Sequence, residues 1–131
     1  MKRVKIITNN PLVRAKYPEL TVFSEVGAEG VLVEVRDLVH LGAVVLSHPL
    51  SGSILPGVSP YKSIIITDCD GNSPGGVDFE SVSLIEKALE LLKKPPDGFL
   101  GFDGKVLEDF QVIDLDLMDC AIISHSGGSN A

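Results

Sequence analysis

The sequence has no tryptophan, two tyrosines and five phenylalanines among 131 residues, so any core must be largely aliphatic. It has only two cysteines, Cys69 and Cys120, far apart and outside any paired metal or redox motif. Two free thiols are the default reading, and a disulfide would require the fold to bring them together. Basic residues are outnumbered, 11 against 18 acidic ones, for a formal net charge of -7. That is the wrong sign for holding nucleic acid by phosphate neutralisation, so no nucleic-acid partner is expected. Nor is there an apolar run approaching the roughly 20 residues that span a bilayer. Met1-Lys2-Arg3 leads straight into a strand-like run rather than a signal-peptide core. No membrane partner and a cytoplasmic location are the expectations.

What is present fits a small globular α/β protein: 44% hydrophobic and 22% charged residues, with a mean hydropathy of +0.27. Neither an internal repeat nor a linker is visible, so residues 1–131 read as one domain, with 124–131 as a flexible tail. Val4 to Ile7 is a short β-branched run. In Thr8-Asn9-Asn10-Pro11, Asn10 reads as an N-cap and Pro11 as the first residue of a short helix limited by Pro18. Leu20 to Phe23 reads as a second strand, short and at the sheet edge. Between Ala28 and His40, the apolar residues Ala28, Val31, Leu32, Val35, Leu38 and Val39 recur at helical spacing, and Gly42 supplies the stop.

Ala43 to Leu46 and Ser63 to Thr67 are runs of the kind buried on both faces of a parallel sheet. Asp78 can cap a helix whose buried stripe is Val82, Leu84, Ile85, Ala88, Leu89 and Leu92, ended by Pro95-Pro96. Phe99 to Lys105 is Gly-rich and reads as an excursion. Val106 to Ile123 mixes signals: Phe110 to Leu117 alternates like a strand, whereas Leu115, Met118 and Ile122, with Leu117 and Ala121, suit a helix, and the favoured reading is a strand or extended piece near Val112 followed by a short closing helix. Alternating strands and helices predict a three-layer sandwich with a mostly parallel, Rossmann-like sheet of four to five strands.

The segment Ser47 to Ser63 collects a histidine, a lysine, a tyrosine and several hydroxyls beside glycines and prolines. A connection of about a dozen or more residues without its own secondary structure is uncommon unless functional or disordered. His48 directly follows a buried strand and titrates near neutrality, which makes it the candidate acid/base residue. Its alternative is a structural hydrogen bond. Ser51, Gly52 and Ser53 offer backbone N–H groups to a phosphate or carboxylate, or else form an ordinary turn.

Asn9 and Asn10 end the first strand, where a ligand would sit in a parallel sheet, and capping is the competing duty of Asn10. Lys62 is a candidate anion-binding residue; strictly parallel order puts it and Tyr61 on the rim opposite His48, unless the loop folds back to carry Lys62 toward the site. Asp68 and Asp70 could hold Mg²⁺ or a hydroxyl group, but their spacing is incomplete for an EF-hand and turn duty explains them as well; no metal and no cofactor are expected.

Ile7-Thr8-Asn9-Asn10-Pro11-Leu12-Val13, Val35-Arg36-Asp37-Leu38-Val39-His40, His48-Pro49-Leu50-Ser51-Gly52-Ser53 and Pro60-Tyr61-Lys62-Ser63 together resemble the GrdX family. Asp78-Phe79-Glu80-Ser81 and Leu107-Glu108-Asp109-Phe110-Gln111 are similar to it as well. The resemblance covers most of residues 4–123. It implies association with the glycine, sarcosine and betaine reductase operons of anaerobic bacteria that ferment amino acids, and it supplies no catalytic residues to carry over.

Two functions follow. The first is an accessory protein that binds a small carboxylate or phosphate ligand or a reductase-complex protein. The alternative is a small enzyme acting on a carboxylate or phosphate ester, with His48 as acid/base and Asn10, Lys62 and the loop amides holding the anion. A third role for the loop is homodimer formation through Leu50, Ile54, Leu55 and Val58.

Overall fold

A computed structural model describes residues 4–47, 60–67, 76–92 and 103–127. Its elements in chain order are β1 (Val4–Thr8), α1 (Pro11–Lys16), β2 (Thr21–Phe23), α2 (Ala28–His40), β3 (Ser63–Thr67), α3 (Phe79–Leu92) and α4 (Gly104–Gly127). The three strands lie in the order β2-β1-β3, parallel between β1 and β2 and antiparallel between β1 and β3.

This corrects the expected Rossmann-like sheet of four to five mostly parallel strands. The first reason is where the chain stands at Ser47 and at Pro60. Val45 bridges Ile66 in antiparallel sense, and Leu46 donates its N–H to the carbonyl of Ile65, so Ala43 to Ser47 runs along the free edge of β3 without forming a regular strand. The chain leaves at Ser47 and re-enters at Pro60 on the edge where β1 ends, and β3 must therefore run back against its neighbours. The second reason is that Phe110 to Leu117 is helical.

Side-chain alternation in the strands divides the interior. Ile7, Ile64 and Ile66 pack with Val31, Leu32, Val35 and Val39 of α2 and with Ile85, Ala88 and Leu89 of α3. Ile6 and Ile65 face the other way, onto Val13 of α1 and Met118 of α4. Helices thus cover both faces of the sheet, and β3 is buried along its whole length. That explains why its Ile64-Ile65-Ile66 run shows no polar alternation.

The helix ends follow local chemistry. Asn10 caps α1 by accepting from the Leu12 N–H at 3.0 Å, with Pro11 in the first turn. At the end of α2, Ala43 donates to the Leu38 carbonyl and Gly42 to that of Val39, a Schellman closure with Gly42 at φ 113°. Asp78 caps α3 through the Ser81 N–H at 3.1 Å.

In α4, Asp103 caps the first turn by accepting from the Val106 N–H at 2.9 Å, so Gly104 and Lys105 open a helix rather than end an excursion. The helix is continuous where an extended piece was expected, and it runs on to Gly127, into the expected tail. Residues 128–131 lie outside the described residues. The inward face of α4 mixes Leu115, Met118 and Ile122 with the polar Gln111 and Asp114, while Val112, Ile113 and Ile123 face solvent. That mixture disguises the helical period as alternation.

Candidate functional site

The end of β1, the start of β3 and the middle of α4 meet at one rim of the sheet, where the fold buries a cluster of polar side chains. Thr8 and Ser63 stand opposite each other in the β1–β3 register, with their hydroxyls 2.6 Å apart. Ser63 Oγ donates to Asp114 Oδ2 at 2.6 Å, and Asn10 Nδ2 donates to the same oxygen at 3.0 Å. The Asn10 backbone N–H donates to Thr8 Oγ1 at 2.9 Å. Because the Ser63 proton goes to the carboxylate, Thr8 must be the donor to Ser63. The hydroxyls therefore point in one direction, from the Asn10 N–H through Thr8 and Ser63 to Asp114.

The two asparagines are used fully by the protein. Asn10, with no exposed surface, caps α1 with Oδ1 and shares its amide protons between Asp114 and the Gln111 carbonyl, 2.9 Å away. Asn9 donates from Nδ2 to the carbonyls of Val26 and Pro60, both at 2.8 Å, and accepts from the Lys62 N–H at 2.8 Å. These amides fix the ends of α1, α2, β3 and the centre of α4 to one another. Gln111 adds a bond from Nε2 to the Tyr61 hydroxyl at 2.8 Å.

Lys62 is on this rim, not the opposite one, because β3 runs antiparallel and begins where β1 ends. It is only 6% exposed. Burial pushes its ammonium below the ordinary lysine range, and the charge of Asp114 pulls it partly back up. Burial likewise pushes the Asp114 carboxyl above the ordinary range, against the bonds from Ser63 and Asn10 and the charge of Lys62. The protonation of each group thus responds to the charge placed beside it.

Among the predicted site residues, Asn9, Asn10 and Lys62 are brought together. His48, Ser51, Gly52 and Ser53 lie outside the described residues, as do Asp68, Asp70 and Cys69. Their neighbour Ser47 is described: its Oγ accepts from the Ile65 N–H at 2.9 Å as the chain reaches the same rim. Asp114 and Gln111 escaped the sequence reading. A carboxylate at Asp114, one turn before the core residue Met118 on a helical face, was the available signal. Cys120 is a free thiol exposed on α4. Among the described residues, no group of three or more His, Cys, Asp or Glu side chains could hold a metal ion, and no helix is long and apolar enough to cross a membrane.

Fold and rim together define an α/β domain with a small mixed sheet, a hydrogen-bonded Thr8-Ser63-Asp114-Asn10 cluster at one rim and the buried Lys62 on the same rim. The chain belongs to the GrdX-like family: the family model described as GrdX-like protein matches residues 5–123. No curated protein and no solved structure matches the chain.

Proposed function

We propose that this chain is a non-catalytic accessory protein of a glycine reductase-type system, binding a small carboxylate or phosphate at the rim around Lys62 and docking on a component of the reductase. Membership of the GrdX-like family suggests the association with such systems. The ligand class rests on how the fold holds Lys62. Its backbone is gripped by Asn9, and its side chain sits in a setting that disfavours the ammonium and rewards added negative charge. A cation already stripped of water attracts an anion more strongly than an exposed one, because less hydration is displaced on binding.

Isothermal titration calorimetry with acetate and with inorganic phosphate tests this reading. At least one of them should bind the wild-type protein, and Lys62→Met should weaken that binding at least tenfold. Absence of binding by both anions, or equal binding by Lys62→Met, would remove the basis for the ligand class.

A further inference from the structure

One face of α4 closes the core through Met118 and reaches the rim through Asp114. The other carries apolar side chains that do neither: Val112, Ile113 and Ile123 are 48%, 52% and 68% exposed. β-Branched residues are among the poorer helix formers and lose rotamer freedom in a helix, a cost that burial ordinarily offsets. At these exposed positions they give the fold neither propensity nor much packing.

The exposed residues of α4 follow a seam. Asp109, Val112, Asp116 and Ile123 succeed one another at intervals of three, four and seven residues, and all four are exposed. Ile113 and Cys120, seven apart and also exposed, run beside them. This is the spacing at which one helix receives another, knobs into holes. At about 1.5 Å of rise per residue, the stretch from Val112 to Ile123 is about 16 Å long, or roughly three turns.

Charge along the seam has one sign. Glu108, Asp109 and Asp116 are exposed among the apolar residues, and no lysine or arginine occurs from Val106 to Ile123. Because Asp116 lies between Val112 and Ile123, a purely apolar helix laid there would strip water from an unanswered carboxylate. A second copy of this chain paired through the same face would bring only further carboxylates, in parallel or antiparallel register. A helix with an apolar stripe and Lys or Arg opposite Asp109 and Asp116 answers both parts of the surface.

We propose that the outward seam of α4 is a docking surface for a basic amphipathic helix of a partner protein. This deepens the docking half of the accessory reading and is independent of the ligand half. The acetate and phosphate titrations judge the rim around Lys62 separately, so either can fail alone.

The probe is a synthetic peptide of about 18 residues, five turns, with Leu at the a and d heptad positions and Lys elsewhere. Its controls are a peptide of the same composition with the Leu residues dispersed around the helix, and one with Glu in place of Lys. Fluorescence anisotropy at about 150 mM salt, where long-range attraction is screened, should show the probe binding at least tenfold more tightly than either control. Combining Val112→Ser, Ile113→Ser and Ile123→Ser should weaken that binding at least tenfold. Equal binding of the dispersed peptide, or undiminished binding by the triple variant, would overturn the proposal. Sedimentation of the wild-type protein alone should show a monomer; a dimer dissolved by the triple substitution would give the face to a second copy instead. In Cys69→Ser protein, saturating probe should slow alkylation of Cys120 by iodoacetamide, a measurement that does not depend on the triple variant's folding. An unchanged rate, or a Cys120 already a hundredfold slower in the free folded protein than in urea, would overturn the proposal, the latter by showing that the chain covers its own seam.

Discussion

Asn9 and Lys62 hold each other reciprocally where β1 and β3 meet: the Asn9 N–H donates to the Lys62 carbonyl at 3.3 Å, and the Lys62 N–H donates to Asn9 Oδ1 at 2.8 Å. The amide oxygen of Asn9 stands in for the backbone carbonyl that a regular antiparallel ladder would offer there. The pairing therefore extends one position past Thr8 and Ser63 while the backbone of Asn9 turns away toward α1.

Asn9→Ala removes this substitution and leaves the Lys62 N–H and the carbonyls of Val26 and Pro60 without their partner. Buried groups left unsatisfied cost about 1–3 kcal/mol each before relaxation, so a loss of about 2–4 kcal/mol is expected in urea unfolding. A loss below about 0.5 kcal/mol would show that water or a rearranged backbone replaces the side chain without difficulty.

Asp114 imposes a pH dependence whose sign follows from its raised carboxyl. A group with a folded-state pKa above its unfolded value favours the folded state below the unfolded pKa, here the ordinary 3.8, and loses that contribution as pH rises through the folded value. The net upward direction already includes the attraction to Lys62. Asp114→Asn keeps an acceptor and never ionises, so it should match the wild-type protein in stability near pH 3.5 and exceed it at pH 7. Chemical denaturation across that range checks the crossover. A variant less stable than wild type at pH 7 would show that the ionised carboxylate is a net stabiliser.

Tyr17 donates its hydroxyl proton to Asp119, which also accepts from Lys16 Nζ at 2.8 Å. Partial burial, the bond to Asp119 and the charge of Asp119 push the phenol up to about 12. In a Tyr61→Phe background, ultraviolet titration should show a single phenolate transition near 12. Asp119→Asn should bring it part of the way back toward 10.0, since burial remains. Because the folded pKa is raised, this contribution to stability is intact below 10.0 and lost between there and about 12. An unchanged midpoint in Asp119→Asn would exclude Asp119 as a cause.

The elements set by local chemistry were legible in the sequence. Val31, Leu32, Val35 and Val39 mark α2 because one helical stripe faces one core, and Asn10-Pro11 and Asp78 mark helix starts because the capping atoms lie in those residues. Strand direction was not legible. Ile64-Ile65-Ile66 would be buried on both faces in either orientation, and only the re-entry of the chain at Pro60 decides it. The same ambiguity put Lys62 on the wrong rim. In α4, the inward Gln111 and Asp114 interrupt the apolar stripe because they bond to Tyr61, Ser63 and Asn10, so the residues that complete the rim are those that obscured the helix.

The order in which the rim is assembled has a consequence for synthesis. Its parts come from Thr8 to Asn10, from Lys62 and Ser63, and from Gln111 to Asp114 near the end of the chain, where Met118 also closes the core around Ile6, Val13 and Ile65. A nascent chain can pair β1 with β2 and cover one face of the sheet with α2 long before α4 has left the ribosome. Until then the apolar side chains of the other face have no lid, and Lys62 lacks its opposing charge. Completion of the rim and closure of the second core therefore fall in the same late event, so that an unfinished chain leaves an apolar face uncovered.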